Sequence, residues 1–272
     1  MTPLTVVAIL RNGIQNGYPF VESLGSWLSF ADRIFVLDGF SDDGTELVLR
    51  RMAAQHDHFT VASEPWPVAT KGGSAIADFS NRLLDHVQGF GGKLMYVQAD
   101  EVYTRDQRAA MQDAAADEAL EYRGYINFWN GFNRVLANDF PWSFVRLFPN
   151  RGEIRSLADG YSFELGNTPV RRIDERILHY GWCFPVNILQ KHVSHARIYR
   201  DAPAYRLRGW LAAAMLARSD LRLKLLDALE PDYRAVPFDD EHPACMHHLL
   251  AMRQYDPYVG LKLLETGATA NW

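Results

Sequence analysis

The stretch Leu94-Met95-Tyr96-Val97-Gln98-Ala99-Asp100-Glu101 decides the reading of this chain, because a short apolar run ends there in two adjacent carboxylates. A continuous apolar run of this length is the pattern of a buried strand in a parallel sheet. In open α/β sheets, ligands collect in the crevice beyond the carboxyl ends of such strands. Asp100 and Glu101 are therefore expected at the rim of a ligand crevice. Hard divalent cations take carboxylate oxygens, and Mg2+ or Mn2+ often bridges one or two carboxylates to a substrate's phosphates. The pair points to a metal–diphosphate site; the plainer alternative is solvated charge where a strand ends.

Outward from that strand, the first hundred residues alternate strand and helix. Thr5–Leu10 reads as a first strand, Ile34–Leu37 as a second closed by Asp38-Gly39, and Phe59–Ala62 as a third. Between them, Phe20, Leu24, Trp27 and Leu28 share one helical face, and Ser41-Asp42-Asp43-Gly44-Thr45 supplies turn and cap chemistry before a helix over Glu46–Ala54. Ile76, Phe79, Leu83 and Val87 mark a further helix leading into Leu94–Val97. This alternation predicts an α/β fold with a parallel sheet and helices on its faces.

The second half breaks the rhythm. Gly124–Phe128 is strand-like, but Trp129, Phe132, Phe140, Trp142 and Phe144 crowd among turn residues. Leu207–Leu229 reads as a helix or helix pair, and Pro243 opens another helix through Gln254. Without repeats or a linker, residues 1–272 are expected to form a single domain: a nucleotide-binding half over 1–120 and an acceptor-shaping half over 121–272. With 48% hydrophobic and 22% charged residues among 272, the composition is that of a soluble globular chain. The net charge of −5 gives no overall pull toward nucleic acid or anionic membranes. No apolar run approaches a spanning length, and Cys183 and Cys245 lack metal-type spacing, so a cytoplasmic protein is expected.

Three rim positions follow from this order: Arg11-Asn12 after the first strand, Asp38 at the end of the second, Asp100-Glu101 at the end of the fourth. Polar side chains leaving neighbouring parallel strands at one edge can converge on one ligand. Gly72-Gly73-Ser74 offers backbone N–H groups to phosphate at a helix start, or a plain loop. Neither a GxGxxG fingerprint nor a GxxxxGK[ST] loop is present, which argues against a dinucleotide oxidoreductase and a P-loop enzyme. Between residues 171 and 208, eight Arg and Lys residues face only Asp174, Glu175 and Asp201, a basic segment suited to a diphosphate or an acidic acceptor.

The residues Val36-Leu37-Asp38-Gly39-Phe40-Ser41-Asp42-Asp43-Gly44-Thr45 resemble the D-x-x-S-x-D-G-T signature of family-2-type glycosyltransferases of the GT-A fold. Tyr96-Val97-Gln98-Ala99-Asp100-Glu101-Val102 resembles the acidic metal motif of that superfamily, in the QADE form of a bacterial and viral branch. Ala77 and Asn81, Val145-Arg146-Leu147, Ser156 with Asp159-Gly160, His179-Tyr180-Gly181-Trp182, Lys191, and His242-Pro243 with Met246 follow in the order of that branch.

The resemblance implies a Rossmann-like GT-A sheet with a helical C-terminal region and a metal-dependent transfer of sugar from a nucleotide-sugar donor, UDP foremost, to a hydroxyl acceptor. Together with the rim positions Arg11 and Asn12, it implies donor binding by Asp38, which would hold the nucleobase, and by Ser41, Gln98, Asp100 and Lys191, and Mn2+ or Mg2+ held by Asp100 with Glu101 and His179. Gln98 stands where the usual motif has its first aspartate, so it brings hydrogen bonds but no charge. Inverting transfer needs a carboxylate base at the acceptor hydroxyl, a role that falls to Asp159, with Glu164 the second candidate. The acceptor is expected to be a cell-surface glycan or glycolipid, or a hydroxymethylated DNA base. The competing classes are a nucleotidyltransferase, for which Arg11-Asn12-Gly13 lacks the usual lysine, and a non-catalytic nucleotide- or carbohydrate-binding module.

Overall fold

Alternation along the central strands gives the sheet two cores, one on each face. In a strand, successive side chains point to opposite faces. Leu4, Val6, Ala8 and Leu10 enter one hydrophobic cluster with Ile34, Val36, Met95 and Val97, whereas Val7 enters a second with Phe35, Leu37, Leu94 and Tyr96. A sheet buried on both faces needs strands apolar at every position, which is what these segments supply.

The structure is a computed structural model that describes residues 2–67, 74–137, 143–158, 162–199, 202–217, 234–269 and 272. The first half contains β1 (Leu4–Leu10), α1 (Gly13–Asn16), α2 (Phe20–Gly25), β2 (Arg33–Asp38), α3 (Thr45–Ala53), β3 (Phe59–Ser63), α4 (Ser74–Val87), β4 (Lys93–Tyr96), β5 (Glu101–Val102) and α5 (Arg105–Asp113). There follow β6 (Ala119–Tyr122), β7 (Tyr125–Asn127), β8 (Arg134–Leu136), β9 (Phe144–Pro149), β10 (Arg155–Leu157), β11 (Ser162–Glu164), β12 (Val170–Ile173) and β13 (Ile177–His179). The chain then runs through α6 (Pro185–Ile198), α7 (Pro203–Leu216), β14 (Ala235–Pro237) and α8 (Pro257–Glu265).

Seven strands form the main sheet in the order β12-β6-β9-β4-β1-β2-β3. β1 pairs parallel with β2 and β4, β2 with β3, and β6 with β12, while β9 runs antiparallel to both β4 and β6. Only β9 is therefore reversed, and the sheet is the mostly parallel, helix-flanked α/β sheet expected. The carboxyl ends of β1, β2 and β4 lie along one edge. A second sheet, β5-β13-β7, sits past that edge, with His179 registered against Glu101 on one side and Asn127 on the other.

Two buried polar anchors hold the elements together, the first within the front half and the second between the halves. Lys93 is fully buried, and its Nζ donates to the carbonyls of Met111, Gln112 and Ala114 at 3.0, 2.8 and 2.7 Å, closing the end of α5. Asn187 on α6 donates to the carbonyls of Ile14 and Gln15 and accepts from the Tyr255 amide. The helix expected from Pro243 through Gln254 is instead a 3-10 turn over Ala244–Leu249; the α-helix begins at Pro257, where Asp256 accepts from the Tyr258 amide as its cap.

Candidate functional site

The loops leaving β1 and β2 are buttoned together by short polar side chains. Asp38 is buried at the end of β2, and its carboxylate accepts from the Ser41 hydroxyl at 2.5 Å and the Ser41 amide at 2.9 Å. Burial pushes the Asp38 carboxyl up, and the Ser41 hydrogen bonds offset only part of that. Ser41 Oγ in turn accepts from the Asn12 amide at 2.9 Å, while Asn12 Nδ2 donates to Asp42 at 2.8 Å and Asn12 Oδ1 accepts from the Asp42 amide at 3.0 Å. Asn12 holds a left-handed backbone with φ 52°, which asparagine tolerates better than most residues. Arg11 and Asn12 line a cleft of about 820 Å3 together with Asp42 and Trp66; Asp38 and Ser41 brace this wall from behind and are not part of its lining.

Gln98 and Asp100 follow β4 into the same cleft. Asp100 is buried, and its Oδ2 lies 3.3 Å from His179 Nε2 and 3.3 Å from Lys191 Nζ. Burial alone would raise the Asp100 carboxyl, but the charges of His179 and Lys191 outweigh it and hold the group well below the usual carboxylate range. Lys191 also donates to the Gly181 carbonyl at 3.0 Å and lies 4.4 Å from the Trp182 ring centre and 4.6 Å from that of Tyr18. Burial pushes its pKa down against the pull of Asp100. Gly181 is required by close approach: a Cβ there would collide with Asp100 Oδ2 and Lys191 Nζ.

Glu101 is a correction to the expected metal ligands. A turn over Gln98–Glu101, closed by the Glu101 amide donating to the Gln98 carbonyl at 2.9 Å, separates the two carboxylates: Glu101 is fully buried in the core while Asp100 lines the cleft. Its carboxylate is fully buried and receives Arg146 Nη2 at 2.7 Å, Arg146 Nε at 3.0 and 3.1 Å, and Tyr103 Oη at 2.7 Å, with Tyr125 Oη as a further donor. Its acceptor positions are taken. Among the described residues no group of three or more His, Cys, Asp or Glu is placed to hold a metal ion.

The second half reaches the cleft by β-pairing. The antiparallel match of β13 with β5 sets His179 beside Asp100, fixed by the Tyr180 amide donating to the Asp100 carbonyl at 2.8 Å. His179 stacks on Tyr125 at 4.7 Å between ring centres, and its Nδ1 is buried without a hydrogen-bond partner among the described residues. Farther along, His195 of α6, Tyr199 just past its end, and Tyr205 and Arg208 of α7 join the wall. Burial, with the charges of Lys191 and His192, pushes His195 down to about 3, so it is neutral at physiological pH.

Arg11, Asn12, Gln98, Asp100, His179 and Lys191 thus meet in one cleft. Glu164 does not join them: it sits exposed on β11, in register with Arg155, away from the lining. The hairpin β10–β11 is clamped to α4 by Asn81, whose side chain bonds the Ser156 amide and carbonyl at 2.8 and 3.1 Å. Asp159, Gly160, Gly72, Gly73, Phe140 and Trp142 lie outside the described residues. Sequence reasoning missed Tyr18, Trp66 and His195; the only local hint was Pro65-Trp66-Pro67, an aromatic fixed between prolines after β3.

No protein-family model matches the chain, and no curated protein sequence does. Solved structures do align with it at low identity. TarS of S. aureus is 15% identical over 82% of this chain, with a TM-score of 0.40; the chain spans only 44% of that protein. TarS 1–349 in complex with UDP is 14% identical over 85% of this chain and 88% of its own, with a TM-score of 0.41. The mannosyltransferase PcManGT from Pyrobaculum calidifontis, in complex with GDP-Man and Mn2+, is 18% identical over 98% of this chain and 80% of its own, with a TM-score of 0.39.

Proposed function

We propose that the protein is a glycosyltransferase of GT-A type that moves a sugar from a nucleotide-sugar donor, with UDP the first nucleotide to test, to a hydroxyl acceptor. The carrying observation is the meeting of Asp100, His179 and Lys191 within 3.3 Å contacts, at the carboxyl end of β4, inside a cleft of about 820 Å3. That volume lies in the ordinary range for small-ligand sites, roughly 300–1,000 Å3. Both halves of the chain line the cleft, in keeping with a single domain organised around it.

The donor set fits a divalent cation bound mainly through its substrate. Asp100 Oδ2 and His179 Nε2 converge, Mn2+ accepts both oxygen and nitrogen ligands, and such ions often use one carboxylate and complete their shell with phosphates and water. Bound there, Mn2+ or Mg2+ would neutralise charge growing on the departing diphosphate. Lys191 puts an ammonium on the same carboxylate and is placed to share that charge, while Arg11 and Gln98 face the donor from the sheet edge. Asp38 and Ser41 act by shaping the loop that carries Asn12 and Asp42.

In an inverting transfer the base takes the acceptor hydroxyl proton, the oxygen bonds to the anomeric carbon, and the bond to the nucleoside diphosphate breaks with its electron pair. Asp159 remains our choice of base. A cytoplasmic location accords with two buried free cysteines.

Titration with UDP in Mn2+ and in EDTA tests the reading. Binding that needs Mn2+ and is lost in Asp100→Asn supports it; undiminished UDP affinity in EDTA removes the metal. Release of pyrophosphate from a sugar phosphate and a nucleoside triphosphate would favour a nucleotidyltransferase, and donor binding without transfer or donor hydrolysis a binding module.

A further inference from the structure

Helix α7 carries a face that the transfer chemistry leaves unused. It reads Pro-Ala-Tyr-Arg-Leu-Arg-Gly-Trp-Leu-Ala-Ala-Ala-Met-Leu over 203–216 and is apolar almost all round. A helix of that kind is ordinarily buried on every side. The inner side of α7 is: Gly209 and Ala212 are buried, and a Cβ on Gly209 would collide with Ala196 of α6. The outer side is not. Leu207, Trp210 and Leu211 are 59%, 68% and 38% exposed, and Ala214 is exposed with them. The spacing 207, 210, 211, 214 is a single helical face.

Among the described residues, the formal charges carried by α6 and α7 are all basic. Arg206 is exposed beside the face, Arg197 and Arg208 stand at the cleft side of the two helices, and neither helix carries Asp or Glu, in a chain whose net charge is −5. The face is also continuous with the cleft, because Tyr205 and Arg208 of α7 and Arg197 of α6 line its wall. A face of Leu207, Trp210 and Leu211 with the exposed Arg206 beside it suits contact with an anionic bilayer, where apolar burial and attraction to lipid phosphate add. Pairing with a second copy would set the same arginines against each other. Among the described residues no helix is long and apolar enough to cross a membrane, so the contact would be lateral.

We propose that the outer face of α7 rests in the interfacial layer of an anionic lipid bilayer, with Leu207, Trp210 and Leu211 inserted and Arg206 against lipid phosphate, so that the cleft opens beside the membrane. The contact stands on the helix face; that it brings a lipid-linked acceptor to the cleft rests on the transferase reading.

The test is co-sedimentation of the full chain with vesicles of phosphatidylcholine alone or mixed with phosphatidylglycerol, using wild type, the double variant Leu207→Ser/Trp210→Ser, and Arg206→Gln. The substituted side chains are exposed and outside the cleft, so thermal midpoints and UDP affinity should be unchanged. Wild type should pellet with the anionic vesicles only. The double variant should partition at least about tenfold less, and Arg206→Gln roughly fivefold less at low salt. Wild type left in the supernatant with anionic vesicles, or a double variant that pellets as well as wild type, would overturn the proposal. So would sedimentation velocity showing a wild-type dimer that the double variant turns into monomer. Absence of nucleoside diphosphate binding by wild type would instead strike the transferase reading and leave the vesicle result standing.

Discussion

Lys191 Nζ lies 3.3 Å from Asp100 Oδ2 across 91 residues of sequence, and both side chains are buried. The pair joins the end of β4 to α6, so the charge that serves the cleft also ties the sheet to the helical region.

Removing one partner should expose that coupling. Breaking a buried ion pair costs about 3–5 kcal/mol, because the surviving charge is left without compensation. Lys191→Met should therefore lower unfolding stability by that order, and Asp100→Asn/Lys191→Met should lose much less than the sum of the single changes. Urea unfolding of the four proteins measures the coupling; additive losses would mean that the two groups do not interact.

Acid should reveal the sign of the Asp100 shift. The carboxyl is held below its ordinary value, so its stabilisation is complete above the unfolded pKa of about 3.9 and is lost as pH falls toward the folded value. The stability difference between wild type and Asp100→Asn should stay level from about pH 7 to about pH 5 and shrink below about pH 4. A difference that grows on acidification would reverse the assignment.

Glu101 and Asp100 should separate cleanly. Glu101→Gln breaks the buried pair with Arg146 and should cost about 3–5 kcal/mol, while Mn2+-dependent UDP affinity of the folded fraction stays near wild type. Asp100→Asn should lose that affinity. Calorimetry below each variant's unfolding midpoint decides it, and an equal loss of metal dependence in Glu101→Gln would return Glu101 to the metal.

The base is tested by kinetics. Asp159→Asn should keep donor affinity and lower turnover by roughly 10²–10⁴-fold, the usual worth of a general base. Glu164→Gln should change turnover little, since Glu164 is exposed on the hairpin away from the cleft. The opposite pattern would move the base to Glu164.

Much of the sheet was legible because its signals are local. Runs such as Thr5–Leu10 and Ile34–Leu37 lie within a residue or two of β1 and β2, and the placing of Asp100 just past β4 follows from where the apolar run stops. The reversed β9 was not read, because Phe144–Pro149 carries no mark of its direction; its antiparallel pairing with β4 and β6 sets that. The helix through Gln254 failed where a proline start outweighed the stronger cap at Asp256-Pro257.

The sequence by itself determined the strand and helix periods of the front half and the polar residues at the strand ends, since side-chain period and turn chemistry act over a few residues. Only the tertiary structure decided which of those residues share a site. Pairing of β13 with β5 carried His179 across 79 positions to Asp100, and packing of α6 brought Lys191 to the same oxygen. It also decided that Glu101 belongs to the core, because Arg146, distant in sequence, supplies a buried countercharge that no local pattern announces.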